Sequence, residues 1–350
     1  MKNSTYMPKA TINDVAELAG VSIKTVSRVV NLEPNVREST REKVEKAVAK
    51  LKYRPNLSAR NLASHRSHLI GLLYDDPAAY ELPSAGYIIR LQQGVLSACK
   101  AVRYDLLIHP CNFQDQGLGN EIETMIEQRR PVGVILAAPL SNMPKIVQAI
   151  EKTGTPMVQL SPGKHQKKHS TVSTNDKEIS AEMTRYLASL GHQRIAFISG
   201  DPEHRAVANR MLGYQDGLRD AGLSFSQQLV IAGDNSIGSG EVAAKRLLSW
   251  KNPPTAIFAA NDDMAVGVLL VASRLGVDVP GKLSVAGFDD ISLARQVSPA
   301  LTTIRQPLVR MAEYAAQMLI KGVNGTPGSS SSEVIPAELK IRDSTGPVGK

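Results

Sequence analysis

The chain has 350 residues, 42% of them hydrophobic, and 41 Lys+Arg against 33 Asp+Glu give it a formal charge of +8. This length and apolar content are enough to bury two or more cores, which excludes a single small domain and a disordered or fibrous protein. Residues 1–68 hold 13 Lys+Arg and 6 Asp+Glu, whereas residues 69–350 hold 28 and 27. A small basic module joined to a near-neutral body indicates a polyanionic partner for the module and a different task for the body.

Several classes of protein are excluded by what the sequence lacks. Cys99 and Cys111 have neither disulfide nor metal-ligand spacing, and GKHQKKH (163–169) is more typical of a solvated loop than of a metal site. The N-terminus has no apolar signal-peptide segment, and no stretch approaches the roughly 18 apolar residues of a membrane helix. GxSxG, Walker A, HExxH and GxGxxG motifs are absent. We therefore expect a cytoplasmic protein that is not an enzyme, binds no membrane and needs no metal or cofactor.

The segment TINDVAELAGVSIKTVSRVVN (11–31) contains two short helical patterns separated by a glycine. Thr11 fits the N-cap of the first helix, which ends at Gly20, and Ser22 fits the N-cap of the second. A third amphipathic helix follows, so the segment predicts a helix-turn-helix within a three-helix core, although an ordinary helical mini-domain gives the same pattern. The expected buried positions are Ile12, Val15, Ala16, Ala19, Val26, Val29, Val30, Val44, Ala47, Val48 and Leu51.

A basic linker follows the three helices. Residues 54–68 contain five Arg or His residues and no acid, and this weak helix former fits a hinge that becomes helical only on DNA. Leu57 and Leu62 are apolar residues in this polar setting. Each fits either a wedge inserted between base steps in the minor groove or a side chain packed on a neighbouring domain.

These residues carry a resemblance to a known family. The segment 11–31, with TREKVEKAVAKLKYRPN (40–56) and ARNLA (59–63), resembles the headpiece and hinge of the lactose repressor family of bacterial transcription regulators. The resemblance implies that the start of the second helix reads the major groove, where Lys24 or Arg28 would reach guanine and Ile23 a thymine methyl. It implies these DNA contacts: Thr11, Ser22, Ile23, Lys24, Thr25, Ser27, Arg28, Asn31, Asn56, Ala59, Arg60 and Leu62, the last as the hinge leucine that opens the central base step.

Beyond residue 68, short apolar runs alternate with helical patterns, which is typical of parallel α/β folds. In such sheets the ligand site lies off the carboxyl ends of the strands, here YDD (74–76), GD (200–201), ND (261–262) and GFDD (287–290). The spacing predicts four or five strands on either side of residue 172. The predicted strand-like runs are 69–74, 104–109, 132–137, 156–160, 194–199, 229–232, 256–259 and 283–287.

The body also resembles this family, whose bilobed effector domain is similar to periplasmic sugar-binding proteins. The matching motifs are LGHQRIAFISGD (190–201), RMLGYQDGL (210–218), IFAANDDMAVG (257–267), SVAGFDD (284–290) and PALTTIRQP (299–307). The effector contacts taken from the resemblance and from the loops at the strand ends are Tyr74, Asp75, Ser161, Arg210, Asn261, Asp289 and Gln306.

Simpler interpretations of some of these residues stay open. Asn261 and Asp262 also fit a helix cap, Asp290 fits a cap for the segment from Ile291, and tyrosines near the 76–87 loop fit a mobile surface loop. Ser161 stands where the lactose repressor has an acidic sugar contact, and the 76–87 loop is longer than usual. The ligand is therefore expected to differ from simple galactosides.

The sequence thus predicts an all-α helix-turn-helix headpiece with a hinge helix, followed by a bilobed α/β effector domain of two parallel-sheet sandwiches. The predicted boundaries are 1–53 for the headpiece, 54–68 for the hinge, 69–173 with 306–334 for the first lobe, 174–305 with 335–345 for the second lobe, and 346–350 for a tail.

The predicted function is repression of carbohydrate-utilisation genes by a nucleoid-associated homodimer on a pseudopalindromic double-stranded operator, controlled by a sugar or sugar derivative. No heptad follows the last strand-like segment, so a C-terminal coiled coil is not expected. The alternatives are a sugar-binding transport component, a ribokinase- or dehydrogenase-type enzyme, and a constitutive DNA-binding protein.

Overall fold

The computed structural model describes residues 10–30, 36–53, 67–75, 86–163, 168–200, 205–324 and 330–349. The chain divides into two compact units, Met1–Arg66 and Ser67–Lys350, which we call the headpiece and the body. Within the described ranges, no helix is long and apolar enough to cross a bilayer.

The headpiece contains three helices, α1 (Ile12–Ala19), α2 (Ile23–Val30) and α3 (Glu38–Lys50). Thr11 and Asp14 form a capping box at α1, in which the Thr11 backbone N–H donates to Asp14 Oδ2 at 2.7 Å. Gly20 ends α1 in the left-handed region, with φ of 63°, where glycine carries no steric cost. Ser22 Oγ accepts from the Thr25 backbone N–H at 3.1 Å at the start of α2. The predicted helices are thus confirmed, and their core is Val15, Ala16, Val26, Val29, Val44 and Ala47.

The first sheet of the body is entirely parallel. Residues of β1 alternate between the two faces, so that Ile70 and Leu72 pack under one pair of helices and Leu73 under the other. The strand order is β11-β5-β4-β3-β1-β2, which leaves β2 at one edge. The strands are β1 (Leu69–Asp75), β2 (Asp105–Cys111), β3 (Gly133–Leu136), β4 (Met157–Leu160), β5 (Ser170–Ser173) and β11 (Ser332–Val334).

The second sheet has the order β12-β10-β9-β8-β6-β7, and only β12 pairs antiparallel with its neighbour, β10. One continuous core surrounds it, including the fully buried Phe197, Tyr214, Phe258 and Phe288. Its strands are β6 (Ile195–Ser199), β7 (Val230–Ala232), β8 (Ala256–Ala259), β9 (Ser284–Asp289), β10 (Thr302–Arg305) and β12 (Glu338–Lys340).

Helices cover both sheets, and glycines permit their closest approaches. A Cβ on Gly94 would overlap the Val309 carbonyl oxygen of a neighbouring helix, and a Cβ on Gly267 would overlap the Ile237 carbonyl oxygen of another. The body helices are α4 (Gly86–Val102), α5 (Leu118–Arg129), α6 (Pro144–Lys152), α7 (Asp176–Ser189), α8 (Arg205–Asp220), α9 (Ile237–Leu248), α10 (Asp262–Arg274) and α11 (Leu308–Asn324).

The sheets are larger than the sequence predicts. Each has six strands rather than four or five, because β5 (STVS), β10 (TTIR), β11 (SEV) and β12 (ELK) are rich in polar residues and give no apolar run. The segment after α11, expected as one strand-like run, contributes β11 to the first sheet and β12 to the second. The chain therefore crosses between the two sheets at three places, after β5, after β10 and between β11 and β12.

His192 ties the C-terminal segment to the second sheet. Its Nδ1 lies 3.0 Å from Thr255 Oγ1, and its Nε2 lies 2.8 Å from Ser284 Oγ and 3.1 Å from the Gly346 carbonyl oxygen. Burial lowers the pKa of His192 below its ordinary value, and the contact with Gly346 opposes that shift only partly. His192 therefore has a structural role, joining two strands and the C-terminal segment.

This histidine is expected to make the body less stable in mild acid. Because the pKa of His192 is lower in the folded state, the unfolded chain binds the proton more readily. The contribution of neutral His192 to the free energy of unfolding is therefore fully present above about pH 6.5 and declines as pH falls below that value. The variant His192→Gln should therefore show a smaller fall in Tm between pH 7.5 and 5.5 than the unaltered protein. Equal falls would contradict a neutral buried His192. The comparison with the variant is needed because Asp289 has the opposite effect on stability. Its pKa is raised to about 6 in the folded state, so its protonation favours the folded state as pH falls.

Candidate functional site

The headpiece presents a basic surface at the start of α2. Ser22, Ile23, Lys24 and Arg28 are exposed, and half of the Ile23 side chain is accessible although isoleucine is usually buried. Thr25 and Ser27 are half-buried beside them. An apolar tip flanked by a lysine and an arginine on an exposed helix start can contact base edges and phosphates.

Of the other predicted DNA contacts, the structure describes only Thr11. Thr11 is exposed, but its hydroxyl forms the α1 cap with Asp14 at 2.8 Å. The hydrogen bonds with Thr11 lower the pKa of Asp14. Asn31, Asn56, Ala59, Arg60 and Leu62 lie outside the described residues.

In the body, Arg210 of α8 is the centre of a buried polar cluster at the carboxyl ends of β8 and β9. Its Nε donates to Asp176 Oδ1 at 2.9 Å, and its Nη1 donates to the Ala260 carbonyl oxygen at 2.5 Å. The same Nη1 lies 3.7 Å from Asp289 Oδ1, and the guanidinium carbon lies 3.7 Å from the centre of the Phe288 ring. Stacking and pairing together hold the guanidinium in one plane, which suits the recognition of vicinal hydroxyls or a carboxylate.

Asp289 ends β9 beside this arginine, and Gln306 meets it from the segment that crosses to the other lobe. Gln306 Nε2 donates to Asp289 Oδ1 at 2.5 Å, and both side chains are buried. Burial raises the pKa of Asp289 to about 6, against the opposing effects of Arg210 and Gln306. The structure thus brings together three predicted effector residues, Arg210, Asp289 and Gln306.

Asn261 and Asp262 have local structural roles. Asn261 is the N-cap of α10, where its Oδ1 accepts from the Met264 N–H at 2.9 Å and its Nδ2 donates to the Asn235 carbonyl oxygen at 2.8 Å. Asp262 is fully buried and accepts from the Ile291 backbone N–H and the Thr303 hydroxyl. Burial, reinforced by Asp289, raises the pKa of Asp262 well above its ordinary value.

Asp290 differs from the helix cap considered from the sequence. The short helical turn Ser292–Arg295 has Ile291 at its N-cap position, without a side-chain cap. Asp290 is instead fully buried and paired with three arginines, Arg295, Arg305 and Arg342. The cap interpretation is wrong because the backbone at Asp290 adopts a left-handed φ of 53°, outside the extended region typical of an N-cap.

The predicted contacts on the first sheet lie at the carboxyl ends of its strands. Tyr74 and Asp75 end β1, and Asp75 Oδ1 accepts from the Phe113 backbone N–H at 3.3 Å. Ser161 follows β4, is buried, and donates its backbone N–H to the Val172 carbonyl oxygen at 2.9 Å. These three residues belong to the first sheet, whereas Asp289 and Gln306 lie at strand ends of the second sheet and Arg210 lies on α8.

Three more residues act on the cluster: Asp176 and Arg90, which the sequence did not indicate, and Tyr87, one of the tyrosines near the 76–87 loop. Asp176 begins α7 directly after β5, and its burial raises its pKa while Arg210 opposes the shift. Tyr87, at the start of α4, lies near enough to Asp289 for burial and that carboxylate to raise its pKa. Arg90, one turn later, acts on the Asp289 pKa in the lowering direction. Gln306 lies on the segment between β10 of the second sheet and α11, which packs on the first sheet, so its hydrogen bond places Asp289 beside a crossover between the sheets.

Other chemistry has less support in this part of the molecule. Among the described residues, no group of three or more His, Cys, Asp or Glu side chains is arranged to hold a metal ion. Burial raises the pKa of Cys99 to about 11 and that of Cys111 to about 12, so both thiols stay protonated at neutral pH.

Two family profiles match separate parts of the chain. The profile described as "Bacterial regulatory proteins, lacI family" matches residues 11–56, and the "Periplasmic binding protein-like domain" profile matches residues 184–345. The probable HTH-type transcriptional repressor ExuR of Bacillus subtilis (strain 168) is 30% identical over 334 residues, covering 95% of this chain and 98% of the relative.

Two solved structures are similar over nearly the whole chain. The lac repressor dimer bound to operator and the anti-inducer ONPF has a TM-score of 0.81 at 26% identity, covering 97% of this chain and 100% of that one. The transcriptional regulator CelR in complex with cellobiose has a TM-score of 0.73 at 28% identity, covering 96% and 99%.

The chain therefore belongs to the LacI family of bacterial regulatory proteins. It is a DNA-binding transcription regulator rather than an enzyme, with a helix-turn-helix headpiece and a two-sheet α/β body. The family and the fold class predicted from the sequence are both confirmed.

Proposed function

We propose that the protein is a repressor of carbohydrate-utilisation genes that binds a pseudopalindromic operator as a homodimer and is controlled by a sugar-like effector. The buried Arg210 cluster carries the effector half of this proposal, because it presents oriented charged groups at a lobe boundary. The exposed basic start of α2 carries the DNA half. The proposed lobes are 69–173 with 306–334 and 174–305 with 335–345, supported by the sheet that each segment joins.

For DNA binding, we propose that Ile23, Lys24 and Arg28 read base edges, that Ser22, Thr25, Ser27 and Thr11 contact the backbone or flanking bases, and that Asn31 contacts the backbone. The hinge residues Asn56, Ala59, Arg60 and Leu62 are proposed from the sequence alone. One helix reads too few base pairs for operator selectivity, so two headpieces on half-sites about one helical turn apart are required.

For the dimer, we propose that α4 and the edge strand β2 form the contact in the first lobe. Exposed apolar side chains lie along both elements, namely Ile89, Leu96, Val102 and Ile108. A second copy of this chain is the occupant that a two-fold operator complex supplies, and the lac repressor structure was solved as a dimer. Operator binding would place the dimer on the nucleoid in the cytoplasm.

For the effector, we propose a cleft between the lobes that includes Arg210, Asp289 and Gln306, with Asn261, Tyr74, Asp75 and Ser161 around it. Carboxylate and guanidinium groups together hydrogen-bond the donor and acceptor sides of sugar hydroxyls. The cellobiose complex of CelR supports a carbohydrate ligand. Effector binding would change operator affinity by a coupling free energy of about 1–3 kcal/mol, or roughly 5- to 150-fold.

The proposal is tested by fluorescence anisotropy on the DNA upstream of the protein's own gene. The full-length protein is titrated at fixed salt in the presence and absence of glucose, galactose, ribose, cellobiose and gluconate, with a scrambled duplex of equal length as control. Tight, selective binding that one of these compounds reverses is expected. Equal affinity for both duplexes would contradict the operator, and selective binding that no carbohydrate changes would favour a constitutive DNA-binding protein.

A further inference from the structure

We propose that Asp290 is a positioning residue of the effector site, which fixes the end of β9 so that the neighbouring Asp289 faces Arg210 and Gln306. The inference rests on the proposed effector role of Asp289. In this proposal the two aspartates of the GFDD motif (287–290) have different roles: Asp289 binds the ligand, and Asp290 holds the backbone in place.

The contacts of Asp290 are those of an anchor. Its Oδ2 accepts from Arg305 Nε at 2.6 Å and from Arg295 Nη1 at 3.2 Å, and its Oδ1 accepts from Arg342 Nη2 at 2.5 Å. Arg295 belongs to the turn after β9, Arg305 ends β10, and Arg342 belongs to the C-terminal segment. The carboxylate is fully buried, and hydrogen bonds from Arg305 and Arg342 overcome the effect of burial and lower its pKa. Asp290 is therefore ionised at neutral pH and joins three segments.

The backbone at this point requires such an anchor. Asp289 has φ of 117° and Asp290 has φ of 53°, a region that side-chain-bearing residues rarely adopt. Two successive strained residues persist only where the surrounding structure holds them in place. On the far side, the Ile291 backbone N–H donates to Asp262 Oδ2 at 2.9 Å. The segment 289–291 is thus held by the side chains of Asp290 and Asp262.

This anchor also fixes the crossover between the lobes. Arg305 pairs in register with Asp289 across β10 and β9, and Gln306 follows it directly. Two successive carboxylates on β9 therefore hold two successive residues on β10, Asp290 holding Arg305 and Asp289 holding Gln306. Without the Asp290 charge, the strained backbone loses its anchor, and the Asp289 carboxylate loses its fixed direction toward the cleft.

The test compares Asp290→Asn with Leu247→Ala in the full-length protein. Leu247 is fully buried in the same lobe, on α9, so its truncation destabilises the fold without touching the arginine cluster. Affinity is measured by titration calorimetry with the carbohydrate that reverses operator binding. Asp290→Asn is expected to weaken that affinity about tenfold or more, as for the loss of well-oriented hydrogen bonds to a charged group. Leu247→Ala should stay within about twofold of the unaltered protein.

A pH profile separates positioning from general destabilisation. The groups that face or influence Asp289 are Arg210, Gln306, Asp176, Asp262, Arg90 and Tyr87, and the carbohydrate affinity is expected to change with pH near 6 as Asp289 titrates. Asp290→Asn should displace this midpoint, whereas Leu247→Ala should leave it in place. An unchanged affinity and midpoint in Asp290→Asn, or equal losses in both variants, would overturn the proposal.

A crystal structure of Asp290→Asn without ligand makes the test independent of the effector. The proposal expects Asp289 to leave the left-handed region and its contact with Gln306 to lengthen. If Asp289 keeps its present φ and its contacts with Gln306 and Arg210, the positioning role is wrong. If none of the carbohydrates binds the unaltered protein, the proposed effector class fails, while this structure still decides the role of Asp290.

Discussion

Replacing Arg210 by glutamine is expected to abolish the effector response and also to destabilise the body. The substitution leaves Asp176 buried without its cation, and breaking a buried ion pair from one side costs about 3–5 kcal/mol. It also removes the guanidinium that would donate to the ligand, worth about 100-fold in affinity if two charge-assisted hydrogen bonds are lost. Thermal unfolding and the anisotropy assay with carbohydrate measure the two effects separately.

A double variant distinguishes the two contributions. In Asp176→Asn with Arg210→Gln, neither side chain is charged and the two amides can hydrogen-bond, so part of the lost stability should return. The effector response should remain absent, because the guanidinium is still missing. Operator affinity without effector should match that of the unaltered protein in both variants. A response that survives in the double variant would show that the ligand binds elsewhere.

The local signals of the headpiece were sufficient to predict its helices. Caps and breakers act within three or four residues, so Thr11, Gly20 and Ser22 could be assigned without knowledge of the tertiary structure. The body was predicted less completely, because β10, β11 and β12 consist mainly of polar residues and give no apolar run. β11 pairs with β5, more than a hundred residues earlier, and β12 pairs with β10, on the other side of α11 in the sequence. Because such pairings are not visible in a local pattern, the sequence did not show which sheet each strand joins.

The candidate site shows a similar limit. The rule that ligands gather at the carboxyl ends of parallel strands indicated the segment GFDD (287–290), and the family resemblance indicated Asp289 and Arg210. Asp176 follows the polar strand β5, whose sequence STVS gives no apolar signal, although the same rule would have found it once β5 was known. The anchoring role of Asp290 depends on two backbone angles and on Arg342, which is distant in sequence, so the sequence indicated only a helix cap at this position.

Replacing Lys24 by alanine is expected to reduce operator selectivity strongly while leaving the headpiece folded. Lys24 is exposed on α2 and contributes nothing to the core of Val26, Val29 and Val44, so Tm should stay nearly constant. A lost base contact costs about 1–3 kcal/mol in each half-site, and a symmetric dimer loses it twice. The ratio of operator to scrambled-duplex affinity should therefore fall by roughly 30-fold to 10⁴-fold.

Lys46→Ala is the matched control, because it removes the same charge from an exposed position on α3. It is expected to weaken operator and scrambled DNA by similar small factors, through the general field of the basic headpiece. Salt titrations then identify the contact that Lys24 makes. If Lys24→Ala lowers both affinities equally and reduces the slope of log affinity against log salt by about 1 per headpiece, Lys24 contacts a phosphate. A loss confined to the operator, with little change in slope, identifies Lys24 as the residue that reads the base.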